Sequence, residues 1–167
     1  MPTVELFRVY LAGRFIKYRD YSDWRDYFKH TVRSRLYDAG RTPLAIGFYD
    51  PRHDTKQGLG FANFNYEDRK GVLNSDMVFC FDATPDGAQE DPGMVNEATI
   101  GVEHGKVVVF CTEMSVIHPM FGNYCSGAIA IGMDAGVDYV MAFAKHGIQS
   151  LEVYHEMIEK RKQLIFG

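Results

Sequence analysis

The chain is short of cysteine, of sustained apolar runs and of clustered positive charge, and each shortage excludes something. Its three cysteines, Cys80, Cys111 and Cys125, form no Cys-x-x-Cys pair. The first two sit inside apolar strand-like runs, where cysteine behaves as a small hydrophobe, so the usage suits a reducing cytoplasm rather than a disulfide framework. No uninterrupted apolar run approaches the roughly 18 residues of a membrane span, and no basic segment followed by an apolar stretch opens the chain. Neither membrane association nor secretion is expected. No basic run interleaves with aromatics, and a net charge of −4 opposes a nucleic-acid polymer as partner. Internal repeats, low-complexity tracts and interdomain linkers are also absent.

What is present suits one globular domain spanning residues 1–167, with 46% hydrophobic and 24% charged residues. Ten tyrosines and twelve phenylalanines serve ring stacking and core packing equally well, so aromatic content does not discriminate. More informative is the stretch Asp91-Pro92-Gly93-Met94-Val95-Asn96-Glu97-Ala98-Thr99-Ile100-Gly101. Asp91 is a favoured N-cap and Pro92 a favoured first helical residue, so a helix is expected to start there. At helical spacing, Gly93 and Gly101 flank Glu97 on one face, while Met94, Val95, Ala98 and Val102 form an apolar stripe to pack on a sheet. Glycine costs about 1 kcal/mol in a helix interior, so a face cleared around a carboxylate reads as a ligand site. The competing reading is a surface glutamate beside glycines that allow close helix packing.

Taken in order, Leu6 to Ala12 reads as a buried strand ending at Gly13, with Tyr10 near its end. Ligands of open parallel sheets bind beyond the carboxyl ends of strands, which makes the loop from Gly13 a candidate site wall. Ser22 to Ala39 reads as a helix: Trp24, Phe28, Val32 and Leu36 recur every fourth position, and Gly40 can stop it. Arg25, Lys29, Arg33 and Arg35 are expected on its solvated side, with a ligand-facing Arg25 as the lesser alternative. Leu44 to Tyr49 is a second strand, and Asp50-Pro51-Arg52-His53-Asp54 is expected to continue as neither helix nor strand. His53 has no second histidine at ligand spacing, so no metal is expected. Gly58 to Asn65 reads as a mobile loop, Glu67 to Asn74 as a short helix carrying Asp68, and Asp76 to Phe81 as a third strand. Lys106 to Cys111, after Gly105, is the fourth strand. Gly136 to Val140 is the candidate fifth, and Ser150 to Phe166 a final amphipathic helix. Strands joined by helix-length crossovers mean a parallel sheet with helices on both faces.

These residues carry a resemblance. Tyr10-Leu11-Ala12-Gly13-Arg14-Phe15, Asp50-Pro51-Arg52, Asp68, Asp76-Met77-Val78, Asp91 with Glu97, and Gly105-Lys106-Val107-Val108 resemble, in order and spacing, the nucleoside 2-deoxyribosyltransferases. The resemblance implies a flavodoxin-like α/β three-layer sandwich with a five-stranded parallel sheet. It implies transfer of 2-deoxyribose between nucleobases, with 2′-deoxynucleosides and free nucleobases as partners and no cofactor. Glu97 matches the nucleophile, Asp68 the base-side aspartate, Asp91 the carboxylate that holds the sugar hydroxyls, and Tyr10 a tyrosine that orients the nucleophile. The loops around Gly13, Arg14, Phe15 and Arg52 are expected to build the base pocket. An asparagine and a methionine from a neighbouring subunit complete such sites. Asn123 and Met120 fit those parts, with His118 as the rival of Asn123, and a homo-oligomer follows.

The chemistry needs such a set. A carboxylate attacking C1′ splits glycosidic cleavage into two steps through a covalent deoxyribosyl-glutamate, with retention at C1′. Asp68 would protonate the departing base and deprotonate the incoming one. Glu97, near a helix N-terminus, is expected to stay ionised, and Asp68 to be held partly protonated by burial. Two other functions stand beside this one. A deoxynucleoside 5′-monophosphate N-glycosidase would hand the sugar to water, but the acidic, serine-free stretch Thr84 to Asp91 would repel a phosphate. A non-catalytic nucleotide sensor would have no need of Tyr10, Asp68, Asp91 and Glu97 together.

Overall fold

The computed structural model describes residues 5–38, 44–55, 61–82, 91–113 and 128–146. Asn123, Met120, His118 and the expected helix Ser150 to Phe166 lie outside them. Strands β1 (Glu5–Ala12), β2 (Leu44–Tyr49), β3 (Met77–Asp82), β4 (Val107–Thr112) and β5 (Ala128–Ile131) form one sheet in the order β2-β1-β3-β4-β5. Every pairing is parallel, and this is the flavodoxin-like strand order.

Alternation along β1 supplies two cores. Phe7, Val9 and Leu11 join Met77, Phe79, Phe81, Val109 and Cys111 on one face, where α1 (Trp24–Asp38) packs through Trp24, Phe28 and Val32. Helix α5 (Met133–His146) completes that layer with Met133, Val137, Val140 and Phe143. Tyr10, Ala12, Val78, Cys80, Val108 and Phe110 face the other way, against Val72 of α3 (Phe61–Leu73) and Met94, Ala98 and Ile100 of α4 (Pro92–Glu103). Covering on both faces is why β3 and β4 are buried at every position and read as continuous apolar runs.

Four expectations are corrected. Gly136 to Val140 is not a strand but part of α5: Met133, Val137, Val140 and Ala144 follow the helical period and bury one face. The fifth strand is the four-residue Ala128–Ile131, whose two alanines and short run give little β signal. Phe61 to Asn65 belong to α3 rather than to a loop, since no glycine or proline interrupts the chain from residue 61 to 70. Asp50 to Asp54 does continue as a helix, the single turn α2 (Pro51–Asp54), because Asp50 caps it and proline at the first position starts a helix instead of breaking it. Finally, Arg25 and Lys29 do not point into solvent: Arg25 is 1% exposed, and Lys29 Nζ lies 2.6 Å from Asp50 Oδ2. Among the described residues, no helix is long and apolar enough to cross a membrane.

Candidate active site

The connection from β1 to β2 runs over one face and that from β2 to β3 over the other, so the loop after β1 opens at the switch point of the sheet. A cavity of about 450 Å³ lies there, lined by Gly13, Arg14 and Phe15 after β1, Arg25, Pro51, Asp68, and Asp91, Gly93, Met94 and Glu97 of the α4 region. Gly13 has φ +143°, and a Cβ on it would sit 2.5 Å from the Phe81 carbonyl oxygen, so no other residue fits this bend.

The loop is held from below by Arg25. Its Nε donates to the Leu11 carbonyl at 3.3 Å, Nη1 to the Arg14 carbonyl at 3.3 Å, and Nη2 to the Gly13 carbonyl. Nη1 also pairs with Asp23 Oδ1 at 3.1 Å, which keeps the buried charge compensated. Phe15, 60% exposed at the cavity rim, lies over this guanidinium at 5.2 Å. The helical pattern of α1 could not signal this, because Arg25 sits one position from the apolar stripe and its acceptors are backbone carbonyls of another element.

Helix α4 begins as the sequence predicts. Asp91 Oδ1 accepts from the Met94 amide at 3.2 Å and Pro92 follows. The burial pattern differs from the expected one. Val102 is 37% exposed, and Ile100 and Gly101 take its place against the sheet. A Cβ on Gly101 would come within 2.9 Å of both Val78 and Val108, so this glycine serves close packing and does not clear a ligand face. Gly93 alone of the two lines the cavity.

Glu97 is 8% exposed and forms part of the cavity wall. Tyr10, fully buried beneath it, donates its hydroxyl to Glu97 Oε1 at 2.8 Å. Burial pushes the Glu97 carboxyl up to about 8; the Tyr10 hydroxyl lowers it, the Asp68 and Asp91 charges raise it, and Arg25 lowers it. Burial thus opposes the ionised form expected of Glu97. It lies beyond the first turn of α4, where the helix dipole has faded, and desolvation prevails. Burial, with the Glu97 and Asp68 charges, holds the Tyr10 phenol far above its usual range, so it remains a donor.

Asp68, on α3, is buried across the same cavity. Burial raises its carboxyl, opposed by the hydrogen bond from Thr55 and by the neighbouring Tyr10 hydroxyl. Thr55 Oγ1 donates to Asp68 Oδ1 at 2.6 Å and in turn lies 2.8 Å from the Tyr49 hydroxyl. Tyr10 and Tyr49 are register partners on β1 and β2, and their rings stack at 5.0 Å with an 11° interplanar angle. The sequence reading missed both Thr55 and Tyr49; the tyrosine pairing was available only from strand register.

Two solved structures resemble this chain over most of its length. One is a 2-deoxyribosyltransferase from Bacillus psychrosaccharolyticus, with TM-score 0.55 and 16% identity over 82% of this chain and 95% of that one. The other is a 2-deoxyribosyltransferase from Leishmania mexicana, with TM-score 0.57 and 12% identity over 85% and 99% of the two chains. The fold is shared with these enzymes. No family model and no curated protein matches the sequence. At such identities the likeness speaks for the three-layer sandwich alone, and the site has to be read from its own residues.

Of the candidates, Glu97, Asp68, Asp91, Phe15 and Gly13 surround one cavity, and Tyr10 lies directly under it. Arg52 does not line it. Its Nη2 bonds Asp26 Oδ1 at 2.9 Å and its Nε bonds Asp50 Oδ1 at 3.0 Å, clamping α2 to α1. Burial would raise Asp50, but hydrogen bonds from Arg52 and Lys29 prevail and hold it well below the usual carboxylate range. Arg52 is thereby committed to structure, a correction to its expected place in the base pocket.

Proposed function

We propose that this protein transfers 2-deoxyribose between nucleobases through a covalent deoxyribosyl-Glu97 intermediate. The observation that supports this most is the pairing of two buried carboxyls, Glu97 and Asp68, on one cavity, with Tyr10 bonded to the first and interacting with the second. With Oε1 held by Tyr10, Oε2 of Glu97 is the oxygen free to attack C1′. The C1′–O bond forms as the C1′–N bond breaks, the electron pair leaves with the base, and Asp68 gives that base its proton. In the second half the incoming base attacks C1′, the glutamyl ester bond breaks, and Asp68 takes the proton of the incoming base. Two inversions retain configuration.

The carboxyl pair needs one proton in total, on Asp68 with Glu97 ionised. Two coupled groups with raised affinities populate a singly protonated state between their apparent pKa values. Asp91 is assigned to the sugar hydroxyls and Phe15 to the face of the base. Asn123 and Met120 of a neighbouring subunit would close the site in a homo-oligomer.

The test is incubation with 2′-deoxyinosine, with and without adenine, measuring hypoxanthine, 2′-deoxyadenosine and free deoxyribose, with Glu97→Ala alongside. Adenine-dependent deoxyadenosine that disappears in the variant is expected. Free deoxyribose as the main product regardless of adenine would make the protein a hydrolase. Binding without turnover would make it a sensor.

A further inference from the structure

Thr55 follows α2 and is 2% exposed, and its hydroxyl is engaged on two sides. It has a single hydrogen, and the 2.6 Å contact to Asp68 Oδ1 commits that hydrogen to the carboxyl. The Tyr49 hydroxyl, 2.8 Å away, is therefore the donor to Thr55. A weaker contact from Tyr49 to the Glu67 carbonyl, at 3.3 Å, competes for the same hydrogen. Tyr49 cannot swing away easily. Its ring is stacked on Tyr10, and Gly71, on the next turn of α3 after Asp68, admits both rings where a Cβ would lie 2.7 Å from Tyr49 and 2.9 Å from Tyr10.

The result is a hydrogen-bond chain with one direction, from Tyr49 to Thr55 to Asp68 Oδ1. A carboxyl oxygen that carries hydrogen is a poor acceptor, so an oxygen held as acceptor at short distance is the one that stays bare. We propose that Thr55, locked by Tyr49, is a positioning residue that reserves Oδ1 of Asp68 as acceptor and so assigns the acid's proton to Oδ2. This rests on the reading of Asp68 as the base-side acid. In that role the assignment decides which oxygen meets the departing base nitrogen, and an orientation error at this point costs rate without changing affinity. The titratable groups facing Asp68 are Tyr10 of β1, Tyr49 of β2, Glu97 of α4 and its own neighbour Glu67. Thr55 acts against burial by lowering the Asp68 carboxyl, as a donor to the charged form must.

The experiment uses the full chain with Thr55→Val and Thr55→Ser. Carbon-detected NMR follows the carboxyl of Asp68, assigned through Asp68→Asn, across a pH titration, while base exchange gives kcat and KM. In Thr55→Val the Asp68 midpoint should rise by about 1 pH unit and kcat fall about tenfold or more, with KM within about twofold. Thr55→Ser, which restores the hydroxyl, should return both to wild type. A Val variant with an unmoved Asp68 midpoint overturns the assignment, as does a normally melting Ser variant that fails to rescue. If the wild-type chain does not act on deoxynucleosides, the deoxyribosyl reading fails while the titration still decides the hold of Thr55 on Asp68. If the chain is active and Thr55→Val matches it, the Thr55 assignment alone fails.

Discussion

Tyr10 and Glu97, 87 residues apart in the chain, meet across a 2.8 Å hydrogen bond that ties the end of β1 to the middle of α4. Tyr10 is fully buried, so its hydroxyl cannot turn to water instead. The Tyr10 hydroxyl stabilises the charged form of Glu97 against desolvation.

Removing that hydroxyl with Tyr10→Phe should therefore push Glu97 above about 8. If activity requires the singly protonated carboxyl pair, kcat/KM against pH is a bell. Its alkaline limb should lie near 8 and its acid limb above the usual aspartate range, since Asp68 is raised. The Phe variant should move the alkaline limb upward and lower kcat/KM by about ten- to a hundredfold. A pH–rate series on both proteins checks this; an unmoved alkaline limb would show that Glu97 does not set it.

Glu97→Gln separates stability from chemistry. Glu97 binds a proton more tightly folded than unfolded, because burial penalises its charge. Its contribution to stability is fully present below the unfolded value of 4.5 and is lost as pH rises through about 8. The amide keeps an acceptor for Tyr10 and has no charge to desolvate. The variant should match wild type near pH 4.5 and be more stable near pH 9, by on the order of a few kcal/mol. Base exchange should fall by about a thousandfold or more. Chemical denaturation at the two pH values, with one activity assay, covers both statements.

Gly71→Ala should cost stability even though alanine is the better helix former. The new methyl would stand 2.7 and 2.8 Å from ring atoms of Tyr49 and 2.9 Å from Tyr10, and the two rings are stacked, so neither moves alone. Overpacking of this kind costs about 1–3 kcal/mol, against about 1 kcal/mol gained in helix propensity. A lower Tm and reduced exchange are expected together. Alanine at Gly105 is the control: its φ of +70° carries strain, but nothing lies within 4 Å of the added Cβ. It should lower Tm without reducing exchange.

Arg25→Met should destabilise by about 3–5 kcal/mol, because the buried Asp23 would lose its nearer cation and keep the more distant Arg52, 3.7 Å away. The carbonyls of Leu11 and Gly13 would lose the guanidinium as a donor, while that of Arg14 would still accept from Trp24 Nε1 at 3.1 Å. Lysine should not rescue, since one ammonium cannot reproduce the planar fork that reaches three carbonyls and a carboxylate. Urea unfolding of the two variants reads the difference, and a fully stable Arg25→Lys would show that charge alone holds the loop.

The strands β1 to β4 were legible within a residue or so because each leaves an apolar run in the chain itself, continuous in β3 and β4, which are covered on both faces. The start of α4 was legible because a cap and a proline are local signals, satisfied within three residues of Asp91. The short β5 was not: Ala128–Ile131 becomes a strand only because β4 offers it an edge, and Val137 and Val140, strand-like in isolation, are claimed by the helical contact of α5 with the core. Arg25 was misplaced and Thr55 missed for one reason, that their partners belong to other elements.

By itself, then, the chain determined four of the five strands, its main helices and the set of side chains that can do acid, base or nucleophilic work. Tertiary structure decided their state. Burial raises the proton affinity of Glu97 because α4 turns it inward, Arg52 is spent on Asp26 and Asp50, and Asp68 accepts from Thr55, which lies against the Tyr49 hydroxyl. Residue identity is written along the chain, whereas desolvation and hydrogen-bond direction depend on which distant groups packing brings within about 3 Å.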